Sequence, residues 1–126
     1  MSPSTKRILQ ESIKKRFDYR ILLRPIDWLP PSVDHGWGNG YVCIPPTHPY
    51  HGKPYDYIPV DVHGGLTFGD HASNVWFRSI PPQYYVVGFD TAHCFDTADN
   101  CPIAYVASEA HSLQRQLKEL ANAPNK

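Results

Sequence analysis

The chain predicts an α+β fold: a small, mostly antiparallel β-sheet, a C-terminal helix packed across it, a short N-terminal helix, and long loops rich in proline, tyrosine and glycine. Three observations carry that expectation. Short apolar runs of strand character recur through the middle of the chain, the best of them from Tyr84 to Phe89. Apolar residues at three-four spacing mark only the two ends. Thirteen prolines in 126 residues rule out a helical bundle and call for long irregular connections.

Residues 4–17 read as the first helix, with Ser4 as its cap and Ile8, Leu9, Ile13 and Phe17 on one stripe. Tyr19 to Leu23 alternates like a half-exposed strand and stops at Pro25. A loop with three glycines follows, with Trp28 and Trp37 as its expected anchors and Asn39-Gly40 as a turn. Tyr41 to Ile44 is the next strand. Residues 45–59 form a proline- and tyrosine-rich flap, since proline lacks the donor a central strand needs. Val60 to Val62 is expected to resume the sheet, with Gly64-Gly65 breaking it and Leu66 to Phe68 continuing it. Residues 69–74 read as a turn and 75–78 as a further strand. Tyr84 to Phe89, aromatic and β-branched, is the expected central strand. The last helix spans about 102–122, with Ile103, Val106, Ala110, Leu113, Leu117 and Leu120 on its apolar face and a fraying tail beyond. The sheet region is thus 19–89, and 1–126 reads as one domain.

Twelve basic and twelve acidic residues give no net charge, which argues against a partner as long and anionic as a nucleic acid. No apolar run is long enough for a signal or a membrane span. An odd number of cysteines, Cys43, Cys94 and Cys101, then suits reduced thiols in a cytoplasm. No CxxC pairing is present, so a thiolate zinc site is not expected.

Polar groups mass where two apolar runs end. One run leads into Asp90, His93 and Asp96, the other into His63, Gly64 and Gly65. His63, Asp90, His93 and Asp96 together suit a divalent zinc, manganese or iron ion. Without metal, His63 or His93 with Asp90 is an acid–base pair, because a carboxylate can fix the tautomer of a histidine that moves a proton. An enzyme built here would be a metal-dependent or His/Asp acid–base hydrolase. Gly64, Gly65 and Arg78 are the candidate anion cradle, and Tyr55 and Tyr57 the candidate stacking surface for a base. A purely structural reading accounts for the same residues: Asp90 caps its turn, and the histidines are satisfied internally.

The segments GNGYVCIPPTHPYHGKPYDYIPVDVHGGLTF and YYVVGFDTAHCFD resemble those of a family of short hypothetical proteins of bacteriophages and bacteria. The resemblance covers about half of the chain, roughly Gly38 to Asp96. It places His63, Gly64, Gly65, Asp90 and His93 in signature segments and carries over no catalytic role. It also implies the cytoplasm of a bacterial host and a part in countering host defence. The expected function is to bind, and as an enzyme to hydrolyse, a small phosphate-containing or nucleotide ligand. The alternative is an inhibitor of a host protein, with the aromatic flap as contact surface and the His/Asp cluster as scaffolding.

Overall fold

In the computed structural model, which describes residues 2–74 and 79–122, the chain folds as an α+β unit. The elements are α1 (Pro3–Phe17), β1 (Ile21–Pro25), β2 (Gly38–Ile44), β3 (Phe68–His71), β4 (Tyr85–Phe89) and α2 (Ile103–Asn122). The strands pair antiparallel in the order β1-β2-β4-β3, which puts the predicted central strand inside the sheet. The expected strand at 75–78, Arg78 within it, and residues 123–126 of the tail expected to fray from Ala121 lie outside the described residues, while Ala121 and Asn122 are the last residues of α2.

Strand alternation divides the core. Val42, Ile44, Val87 and Phe89 face α2, which buries Val106, Ala110, Leu113 and Leu117 against them. Each fully buried leucine there contributes about 1.5–3 kcal/mol. Gly40 sets how closely α2 approaches. A Cβ at that position would lie 2.6 Å from the Phe89 ring and 3.2 Å from Ala110 Cβ. On the opposite face Tyr41, Cys43, Tyr84 and Val86 pack with Phe17 from the end of α1.

Several sequence expectations change. Asn39-Gly40 is not a turn; both residues lie within β2 and pair with Arg24 and Leu23. The reversal falls in the preceding loop, which is closed by Ile26 N–H donating to the Trp37 carbonyl at 3.0 Å. Val60 to Val62 is not a sheet strand. The backbone groups of Asp61 go to a side chain of α2 instead, with Gln116 accepting from Asp61 N–H and donating to Asp61 O, each at 2.7 Å, while Val60 N–H donates to the Ile58 carbonyl and the Val62 carbonyl accepts from Gly65 N–H. Only Phe68 of the 66–68 segment is in β3, and the strand runs on through His71, where a turn was expected. Ser2, not Ser4, caps α1 by accepting from Thr5 N–H. The predicted apolar stripe of α1 is buried at Phe17, while Ile8 is 62% and Leu9 46% exposed. Ile103, in the first turn of α2, is also half exposed.

The flap is irregular as expected, with a single 3-10 turn at Tyr55–Tyr57. Buried His48 holds it down: its Nε2 is 2.8 Å from the Leu117 carbonyl, and its Nδ1 accepts from Tyr50 N–H at 3.0 Å. A carbonyl can only accept, so Nε2 carries the proton and the ring is neutral. Among the described residues no helix is long and apolar enough to cross a membrane.

Candidate functional site

Asp96 is the hub. It ends a tight turn in which Asp96 N–H donates to the His93 carbonyl at 3.0 Å, and it is almost fully buried. Its Oδ1 lies 2.9 Å from His63 Nε2. Its Oδ2 accepts from the His93 backbone N–H and lies 2.9 Å from His93 Nδ1. One carboxylate therefore bridges two imidazoles whose ring centres are 5.6 Å apart. Burial pushes the Asp96 carboxyl up, but the His93 amide and the two imidazoles outweigh it and hold it below the usual range.

The bridge fixes tautomers. An ionised carboxylate only accepts, so His63 Nε2 and His93 Nδ1 carry protons. The Nδ1 of neutral His63 then accepts from the Tyr105 hydroxyl, 2.8 Å away on α2. In neutral His93, Nε2 keeps its lone pair, beside the backbone of Gly64. The backbone holds His63 in place as well, since its N–H donates to Glu109 at 2.8 Å. Gly64 has φ +68, and a Cβ there would lie 2.4 Å from His93 Cε1, so the turn and the imidazole fit only with glycine.

The structure thus brings His63, His93 and Asp96 together, although the run that leads into His63 is not a strand. Asp90 stands beside them, its Oδ1 3.7 Å from His93 Nδ1. Its shorter contacts are to the Thr67 hydroxyl, 23 residues away in the chain, from which it accepts at 2.8 Å, and to Ala92 N–H in its own turn, from which it accepts at 2.9 Å. The second is the turn-capping role of an aspartate. Gly64 and Gly65 form the turn beside His93, with Gly65 N–H donating to the Val62 carbonyl. Tyr55 and Tyr57 stand on the exposed 3-10 turn of the flap. Arg78 lies outside the described residues.

Sequence reasoning missed Cys101 and Tyr105. Cys101 Sγ is 3.8 Å from Asp96 Oδ1 and 4.0 Å from His63 Nε2. Burial and then the Asp96 charge push its thiol up. The available signal was the short step from Asp96 to Cys101, which matches no paired-cysteine spacing. Tyr105 gave no signal beyond its place next to the apolar stripe of α2.

Two depressions flank the cluster. One, of about 490 Å³, is lined by Trp28, Asn39, Tyr41, Thr67, Phe68, Phe89, Asp90, Ala92 and His93. The other, of about 600 Å³, lies between the His63 segment and α2 and includes Glu109, Arg115 and Gln116. Neither is lined by Tyr55 or Tyr57. In the first, Asn39 is 7% exposed; its Nδ2 donates to the Tyr41 hydroxyl at 2.9 Å, and its Oδ1 has no partner. Among the described residues it is the one buried side-chain polar atom so left.

Comparison of the chain with protein-family models, with curated proteins and with solved structures finds no match.

Proposed function

We propose that the protein binds a nucleoside or nucleotide by its base, in the depression walled by Trp28, Tyr41 and Phe68. The observation that carries this reading is the unpartnered Asn39 Oδ1 in an aromatic-walled hollow. A buried acceptor without a donor costs about 1–3 kcal/mol, and a ligand N–H would recover it on turning the Asn39 amide, whose Oδ1 is itself buried, toward the hollow. A volume of about 490 Å³ is in the range of small-molecule sites. Among the described residues the lining contains Asp90 and no lysine or arginine, so it suits the base better than the phosphate end. His93, oriented by Asp96 and bordering the same hollow, is the group placed to move a proton if the ligand is turned over. Capture of a nucleotide signal in a bacterial host is a role consistent with such a site.

Thermal unfolding against nucleosides and nucleotides tests the reading. A ligand at a hundred times its Kd stabilises the fold by about 2.7 kcal/mol. Asn39→Ala and Trp28→Ala are expected to remove the shift while leaving the unliganded protein folded. Absence of a shift with every base overturns it.

A second reading, inhibition of a host protein, draws support from Phe95. That residue is 87% exposed and holds φ 74, a conformation a bulky side chain adopts at a cost. Loss of partner binding in Phe95→Ala, with no nucleotide shift in the parent protein, would favour it.

A further inference from the structure

The three donor atoms His63 Nε2, Asp96 Oδ1 and Cys101 Sγ all lie within 4.8 Å of one another. Their separations are 2.9 Å for nitrogen to oxygen, 3.8 Å for sulfur to oxygen and 4.0 Å for sulfur to nitrogen. A tetrahedral zinc ion with ordinary bond lengths needs edges of about 3.3–3.6 Å between such ligands. Shifts of a few tenths of an ångström would seat it.

We propose that His63, Asp96 and Cys101 form a mononuclear site for a zinc-class divalent ion. The ligand set differs from the one the sequence suggests, since it gains a thiolate and leaves out Asp90 and His93. The case rests on how each ligand is supported from behind. The second nitrogen of His63 faces the Tyr105 hydroxyl. The second oxygen of Asp96 is held by the amide and imidazole of His93. Cys101 N–H donates to the Thr97 carbonyl at 2.9 Å, and its carbonyl accepts from Trp37 N–H at 2.8 Å. Partners of this kind orient first-coordination ligands in metal sites.

Charge fits as well. On binding, the thiol loses one proton to solvent and the sulfur electron pair goes to the metal. The His63 proton moves from Nε2 to Nδ1, where it faces the Tyr105 oxygen. One dication with one thiolate and one carboxylate is neutral, the state that a buried pocket tolerates best. A thiolate, an imidazole and a carboxylate select zinc over magnesium or calcium. Three protein ligands leave a fourth position for water or substrate, the pattern of catalytic rather than structural zinc. His63 is also part of the wall of the 600 Å³ depression.

The site does not depend on the base-binding reading, and nucleotide shifts measured in the presence of a chelator separate the two. The test is zinc loading of the full chain under reducing conditions, with metal analysis and X-ray absorption at the zinc edge. The expected result is one equivalent of zinc with one sulfur at about 2.3 Å and the remaining ligands at about 2.0–2.1 Å. The cobalt adduct should show a thiolate charge-transfer band, absent in Cys101→Ser and kept in Cys94→Ser. No stoichiometric metal, or a sulfur-free shell, overturns the proposal. The absorption measurement uses the parent protein, so it decides the matter even if Cys101→Ser does not fold.

Discussion

Replacing Gly64 by alanine, with Gly65 as its internal control, reads the strength of the His93–Asp96 contact. Both glycines have positive φ, +68 and +79. An alanine at either therefore meets the same backbone penalty, about 1–2 kcal/mol, less a few tenths recovered from the stiffer unfolded chain. The surroundings differ. A Cβ at Gly65 meets nothing within 4 Å, whereas at Gly64 it falls 2.4 Å from His93 Cε1 and 2.6 Å from Nε2. The ring must withdraw by about 1 Å to reach ordinary contact, and a 2.9 Å hydrogen bond to Asp96 does not survive that displacement. Losing a hydrogen bond to a charged group costs about 1.5–3 kcal/mol. Gly64→Ala should therefore cost about 3 kcal/mol and Gly65→Ala about 1 kcal/mol. Urea unfolding at neutral pH should separate their midpoints by about 1 M or more for a urea slope near 1–2 kcal/mol/M. In a His93→Ala background the two alanines should become equivalent, a coupling of about 2 kcal/mol between Gly64 and His93. Equal costs in the parent background, or a difference that persists without His93, would refute the packing of this turn on the imidazole.

Three further outcomes are expected. In the native state a thiol reagent should titrate Cys94 alone: Cys94 is exposed, Cys43 is buried with its thiol pushed up to about 12, and Cys101 is buried beside Asp96; rapid reaction of two thiols would contradict the burial. Acid should weaken the fold in two windows. Burial holds His48 below its usual value, so its contribution is complete above the unfolded value of about 6.5 and is lost as pH falls through the folded one. Asp96 is also depressed when folded, so its contribution is complete above about 3.9 and is lost as pH falls through its own lower value. The pH slope of urea stability below 6.5 should flatten in His48→Gln, and an unchanged slope would contradict the neutral anchor of the flap. Phe95→Asn should raise stability by about 0.5–1 kcal/mol, because asparagine tolerates the left-handed backbone and an exposed ring loses no burial; a lower urea midpoint would show that the ring packs.

The candidate site was half legible in the chain. His63, His93 and Asp96 announced themselves as imidazoles and a carboxylate just beyond apolar runs. Asp90 belongs to the same segment, yet its oxygens are taken by Ala92 N–H in its own turn and by the Thr67 hydroxyl just before β3. Tyr105, Glu109 and Gln116 could not be read this way. They flank the apolar stripe of α2, and a helical period says which side is buried without saying what the flanking polar groups meet. Where those groups reach is set by the seating of Ala110 over Gly40.

Apolar runs, three-four spacing and the placing of proline are properties of neighbouring residues, and they determined the α+β class, the central place of β4, the irregular flap and the apolar face of α2. The tertiary structure decided which backbone groups pair with what. It drew Asn39 and Gly40 into β2 where a turn was expected, and it handed the extended segment at Asp61 and His63 to Gln116 and Glu109 instead of a strand. It also set Cys101 against Asp96 and His63. The physical reason is that a hydrogen bond or a packed sulfur can be satisfied by partners far along the chain. The choice among them is made when the helix docks on the sheet, and no local pattern records it.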